Sequence, residues 1–395
     1  MTQSAAIPAR SALRDPLPLL QRLLRCPSVT PEDGGAMAVL AQALEGLGFE
    51  VKRLDFGSEG AKTPNLWAVA GPIEDAAGKP APFLCLGGHT DVVPPGPDWA
   101  QPPFAGVVAD GSVWGRGAAD MKGALAAFVA AVARRLEKGP LKGRLAFLIT
   151  GDEEGPGRHG TRAVIEWLRA QGVRRPDFCL LGEPSNPTHM GEIIKVGRRG
   201  SLNARVVVKG VQGHVAYPHR ADNPLPRLVR LLDALSSTVL DEGTERFAPS
   251  SLQVTSIDVG NQATNVIPGS AEARLNIRFN DAHSGASLTA WLEAMVDRHA
   301  PGAALHVDVS GESFLTPCGH DVALLAQCVE DVTGHAPALD TGGGTSDARF
   351  ITHWCPVAEF GLVGATMHKR DEHVSLPSLE ALTAITERFM VRMGV

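Results

Sequence analysis

Several things are missing from this 395-residue sequence. No apolar run approaches the roughly 18 residues of a helical membrane span, so a spanning helix is excluded. Basic charge is not in excess: 37 Lys and Arg stand against 43 Asp and Glu, a formal net charge of −6. Nothing there would hold a phosphate backbone, which sets nucleic acid aside as a partner. Cysteine is sparse, six in all, and no two form a CxxC pair. Cys85, Cys179 and Cys355 lie in or beside apolar runs and read as buried reduced thiols. Low-complexity tracts and internal repeats are absent. The N-terminus has no continuous apolar h-region. Leu17, Leu20 and Leu24 fall at helical spacing but are interrupted by Gln21 and Arg22, so a short amphipathic helix is expected rather than a signal peptide, and the cytoplasm is the default location.

What remains is an ordinary soluble composition, 44% hydrophobic and 20% charged, with a length that suits two domains. Short apolar runs bounded by Gly or Pro recur: APFLCLGG, GRLAFLITG, PDFCLLGE and CPVAEFGLV. Helical patterns separate them. Continuous apolar strands alternating with helices predict an α/β fold with a mostly parallel sheet covered on both faces. MKGALAAFVAAVARRLEKG predicts an Ala-rich helix that closes on Arg134, Arg135 and Lys138 and stops at Gly139. From Gly200 to Gly311 the order changes to β-α-β-β-α-β, the ferredoxin-like pattern. A small domain over 200–311 is therefore expected as an insertion in a larger one formed by 1–199 and 312–395.

Ligands of open α/β sheets bind beyond the carboxyl ends of the strands. After PFLCLGG come His89 and Asp91, with two prolines behind them. After RLAFLITG come Asp152, Glu153 and Glu154, after DFCLLG comes Glu183, and after VAEFGLVGATM comes His368. Asp120 sits at the start of the Ala-rich helix, where a plain N-cap is the ordinary role. Each has an everyday explanation: a structural histidine, a cap, a solvated acidic turn. Together they bring two histidines and several carboxylates toward one edge, and divalent cations relieve the cost of burying that many carboxylates. A His/carboxylate set without Cys suits a catalytic zinc site, and a carboxylate left over can serve as general base. The residues read as a hydrolase with one or two metals.

GGHTDVVPPG, VWGRGAADMKG, TGDEEG, LLGEPS and TMHKRDEHVS resemble, in order, the motifs of the M20 di-zinc amidohydrolases. The resemblance covers nearly the whole chain, and it implies a di-zinc catalytic domain with an inserted lid and dimerisation domain. It implies that His89 and Glu183 bind one Zn2+, that Glu154 and His368 bind the other, and that Asp120 bridges them. Co2+ or Mn2+ could substitute for the zinc. Asp91 would orient the His89 imidazole, and Glu153 would be the general base on the bridging water. A cis peptide between Asp120 and Met121 is implied as well. IIKVGRRGSL, VQGHVAYPHRADNP and DTGGGTSDARF are similar to the members that hydrolyse N-succinyl-LL-2,6-diaminopimelate to succinate and LL-2,6-diaminopimelate, a step in lysine and cell-wall precursor synthesis.

For that polycarboxylate substrate the candidate contacts are Lys195, Arg198, Arg278 and Asn265, with Tyr217 beside them and Arg199 read as a surface ion pair. GGGTSD, with Gly344 and Thr345, reads equally as an N–H cradle for an anion or as a flexible turn. The resemblance implies that His214 reaches the active site of a homodimeric partner through the inserted domain and stabilises the oxyanion. Some relatives carry Asn where this chain has Gly364, so a substrate contact from that side chain is missing. His373 reads as a surface residue rather than the ligand. The alternative within the family is an acetylornithine deacetylase or aminoacylase, against which IIKVGRRGS and GGGTSDARF argue. A non-catalytic binding relative would require loss of a ligand or of the base, and none is lost.

Overall fold

The strand Phe83–His89, FLCLGGH, is buried at every position. A strand with no polar alternation needs cover on both faces, which parallel neighbours and crossover helices supply. The structure, a computed structural model, describes residues 10–395; the first nine residues of the segment expected to lack a signal peptide lie outside the described residues. Phe83–His89 sits within an eight-stranded sheet ordered Glu50–Ser58, Ala61–Ala70, Arg144–Thr150, Phe83–His89, Phe178–Leu181, Val357–Glu359, Ile193–Lys195, Ala338–Asp340. Arg144–Thr150, Phe83–His89, Phe178–Leu181 and Val357–Glu359 run parallel. Their carboxyl ends therefore share one edge, where His89, the Asp152–Glu154 turn and Glu183 emerge. The hairpin at one end of the sheet is antiparallel, as is the pairing of Glu359 with Lys195.

The Ala-rich segment forms the helix Gly123–Glu137, and nearly all of it is buried. Its small side chains let it lie close to the sheet. A Cβ at Gly88 would come within 2.5 Å of Met121 Cε and 2.7 Å of Leu125 Cδ2, so a side chain before His89 would have to displace both. The helices Pro16–Leu24 and Leu376–Arg392 pack on the same helix. Asp15 caps the first of these, accepting from the Leu17 N–H at 2.9 Å. Asp120 is not the cap of the Ala-rich helix. That helix starts three residues later, without a side-chain cap, and Asp120 has the extended φ and ψ of −126° and 94° in a kinked turn over Ala118–Lys122. The Asp120–Met121 peptide is cis.

Two compact units divide the chain. One comprises the described residues up to Val196, Thr316–Asp340 and Ser346–Val395; the other comprises Gly197–Leu315 and Thr341–Thr345. The second contains Gly200–Lys209, Leu225–Ser236, Ser251–Asp258, Ser270–Phe279, Gly285–His299 and Ala304–Gly311, in the order β-α-β-β-α-β. Its strands form a four-stranded antiparallel sheet in which Gly200–Lys209 and Ser270–Phe279 are central. Alternate residues of these two strands, Leu202 to Val208 and Ala271 to Phe279, enter a core with Leu228, Leu231, Leu235, Leu288 and Leu292 from the two helices. Ser284 and Ser287 close a capping box on the second helix. All six cysteines are free; five are buried and Cys318 is exposed. Among the described residues no helix is long and apolar enough to cross a membrane.

Candidate active site

His89 ends its strand with the imidazole buried. Its Nδ1 bonds the main-chain carbonyl of Asp91 at 2.9 Å, which places the other nitrogen, Nε2, toward Asp120 Oδ1 at 3.1 Å. The Asp91 carboxylate is 3.6 Å from Nδ1 and is engaged elsewhere. It accepts from Thr30 Oγ1 at 2.8 Å and from the N–H groups of Glu153 and Glu154 at 3.3 and 3.0 Å. Asp91 thus orients the imidazole through its backbone, while its side chain fixes the Glu153–Glu154 turn. Asp120 faces two ways: Oδ2 lies 3.2 Å from His368 Nε2, which is also 2.8 Å from Glu154 Oε1. Glu183 Oε1 is 3.9 Å from His89 Nε2 and is buried with no hydrogen-bond partner among the described residues.

Among the described residues two donor sets emerge, His89 with Asp120 and Glu154, and His89 with Glu153 and Glu183; in each, the ligand atoms lie within 4.8 Å of one another. The electrostatics match a cation site. Burial drives the Glu153 and Glu183 carboxyls well above the usual range, and neighbouring carboxylates add to the effect. Burial opposes protonation of His89, yet Asp120, Glu183 and Asp91 outweigh it and hold the imidazole well above its ordinary value. His368, hydrogen-bonded to Asp120 and Glu154, is pushed up to about 10. Buried carboxylates in excess of buried cations, one oxygen of them unpartnered, form a donor set that divalent cations fit.

Residues 85–392 match the family described as Peptidase family M20/M25/M40. The chain belongs to that family. A succinyl-diaminopimelate desuccinylase of Gluconobacter oxydans (strain 621H) is 61% identical over 381 residues, 96% of this M20 chain and 98% of the relative. A protein of the same name from Gluconacetobacter diazotrophicus is 58% identical over 391 residues, 98% of each chain. An M20 family metallo-carboxypeptidase from Sulfolobus solfataricus shares the fold with a TM-score of 0.77 at 17% identity, covering 96% of this chain and 99% of its own. A Bacillus subtilis protein described as a dinuclear metal binding peptidase of the M20 family aligns with a TM-score of 0.67 at 17% identity, over 97% of this chain and 99% of that one.

In this M20 chain the remaining candidates distribute as follows. Lys195 is in an ion pair with Asp340, its register partner on the adjacent parallel strand. In the second unit, buried Arg198 donates to the Gly342 carbonyl at 3.2 Å, and Arg278 donates to Asn276 Oδ1 at 3.1 Å. Gly344 is exposed and Thr345 half-buried. His214 and Tyr217 have ring centroids 5.7 Å apart, and both are exposed. The Val215 N–H bonds the Asn265 carbonyl at 3.1 Å, so these three candidates share one corner of the second unit. His214 Nδ1 accepts from the Ala216 N–H at 3.1 Å, leaving Nε2 as the outward donor in the neutral ring. His373 stays out of the cluster, stacked on Trp114 with centroids 4.1 Å apart. At Gly364 a side chain would meet Met367 Sδ at 3.3 Å and Pro184 at 3.4 Å.

Three further residues, one each in DTGGGTSDARF, VWGRGAADMKG and TMHKRDEHVS, have environments that the sequence pattern does not foretell. Asp347 is buried, accepts from Thr161 Oγ1 at 2.6 Å, and its other oxygen has no partner among the described residues. Burial raises its carboxyl to about 6. Arg116 and Glu372 form a buried pair at 2.7 Å. The signal available was a polar residue with no assigned partner inside a motif rich in ligands.

Proposed function

We propose that this M20 chain is a metal-dependent amidohydrolase, a succinyl-diaminopimelate desuccinylase, that converts N-succinyl-LL-2,6-diaminopimelate and water to succinate and LL-2,6-diaminopimelate. The observation that carries the reading is Asp120, whose two carboxylate oxygens face two different histidines, as a bridge between two cations requires. The names of relatives at 61% and 58% identity supply the substrate. His89 and Glu183 would hold one Zn2+, His368 and Glu154 the other, with Asp120 between them; Co2+ or Mn2+ suits the same donors. When bound, the metals supply Lewis acidity toward water and the amide carbonyl.

The chain's own groups then have distinct tasks. Glu153 takes the proton of the attacking water and delivers it to the leaving amine. Its placement beside Glu154, with different duties for the two, is set by the Asp91 carboxylate, which grips both N–H groups. His89 keeps its Nδ1–H on the Asp91 carbonyl and so presents Nε2 as a ligand. His214 would donate to the oxyanion in the active site of a homodimeric partner, with the second unit acting as lid and dimerisation surface. Lys195, Arg198, Arg278, Asn265 and Tyr217, with the N–H groups of Gly344 and Thr345, are the proposed contacts to substrate carboxylates. A cytoplasmic location belongs to the same reading.

The test is a paired turnover assay with added zinc, one arm on N-succinyl-LL-diaminopimelate and one on N-acetylornithine, each with and without chelator. Chelator-sensitive succinate release with little deacetylation is the expected result. Preference for the acetyl substrate would overturn the substrate assignment and leave the metal chemistry standing.

A further inference from the structure

We propose that Arg116 and Glu372 are a positioning pair that locks the three ligand-bearing loops of the site into one arrangement. Both side chains are fully buried, at 2% and 0% exposure, and neither belongs to the donor sets above. Glu372 Oε2 accepts from Arg116 Nη1 at 2.7 Å and from the Gly117 N–H at 3.0 Å. Its Oε1 accepts from the N–H groups of Ala119 and Asp120 at 2.8 and 3.0 Å. One carboxylate thus fixes the kinked turn that presents Asp120. The guanidinium reaches the other two loops. It donates to the Lys369 carbonyl at 2.9 Å, next to His368, and to the Pro94 and Pro95 carbonyls at 3.4 and 3.3 Å, in the loop that follows His89 and Asp91. Trp99 covers it, with the guanidinium carbon 5.1 Å from the ring.

A buried ion pair adds little net stability compared with apolar residues of the same volume. This pair gathers main-chain groups of three loops, and its product is their geometry. The prolines of GGHTDVVPPG acquire a task in the same way: each directs a carbonyl to Arg116 and has no N–H that needs a partner. The inference rests on the proposed metal ligands, and its test separates the two claims.

Metal-free wild type, Glu372→Gln, Arg116→Lys and, as a control, Arg135→Lys would each be titrated with Co2+, recording visible absorption and thermal melting. Arg135 is buried in the same unit and binds the carbonyls of Val395, Gly139 and Pro140, remote in sequence from all three loops. In Glu372→Gln an amide N–H2 replaces an acceptor that serves two donors; in Arg116→Lys the charge is kept and the fork is lost. Both variants should bind Co2+ at least about tenfold more weakly than wild type, with altered absorption bands. Arg135→Lys, even if it melts earlier, should titrate as wild type. Folded Glu372→Gln or Arg116→Lys with wild-type affinity and spectrum would overturn the proposal. So would failure of both to fold, which would make the pair a folding element only. If wild type itself bound no Co2+, the metal assignment would fall instead.

Discussion

Half-buried Asp241 in the second unit and buried Glu183 in the first are carboxylates in opposite surroundings. Asp241 accepts from the N–H groups of Gly243 and Ser250, from Asn280 Nδ2 and from His283 Nε2, at 2.7, 3.2, 2.6 and 3.1 Å. Burial pushes its carboxyl up, but these donors outweigh it and hold it at about 2. Glu183 has an oxygen with no donor among the described residues, and burial with Asp120 and Glu153 beside it drives its carboxyl well above the usual range. The first carboxylate is settled by the protein and contributes stability. The second is left for something the protein does not provide, which is the mark of a binding or catalytic site.

The contrast can be broken from either side. Glu153→Ala should lower turnover by roughly 10²–10⁴, with metal content and melting temperature essentially unchanged; wild-type turnover would refute the assignment of the base. His214→Ala should reduce kcat by about 10²–10³ while the protein folds and binds metal as wild type does. Chelation of the metal-loaded protein should lower its melting temperature by several degrees, since a ligand at a hundred times its Kd adds about 2.7 kcal/mol; a melt indifferent to chelator would count against a cation in the cluster.

Asp241→Asn gives the smallest effect, a modest fall in melting temperature at neutral pH with a flatter acid limb. The folded-state value lies below the unfolded one, so the stabilisation is present above about pH 4 and is lost as pH falls through about 2. If the variant lost stability equally at pH 2 and pH 7, the charge of Asp241 would not be what matters.

The central strands were legible because a strand buried on both faces has no polar alternation to confuse it, as in FLCLGGH. The ferredoxin-like order was legible because each of its elements carries its own periodicity. Asp120 was harder: its position just ahead of a helical pattern is that of a cap, and only the kinked turn over Ala118–Lys122 shows the helix starting later. The ion pair of Lys195 was not legible because strand register, which sets Asp340 beside it, is invisible in the sequence. Arg116 and Glu372 were missed for a similar reason. They are 256 residues apart, and most of their partners are main-chain groups that leave no trace in side-chain identity.

The most direct test of the two-cation claim is a titration of metal-free protein with Zn2+ in the presence of N-succinyl-LL-diaminopimelate, reading bound metal and released succinate together. The account predicts two ions per chain, with succinate release rising as the sites fill and vanishing with chelator. Succinate release at full rate from chelated, metal-free protein would contradict it.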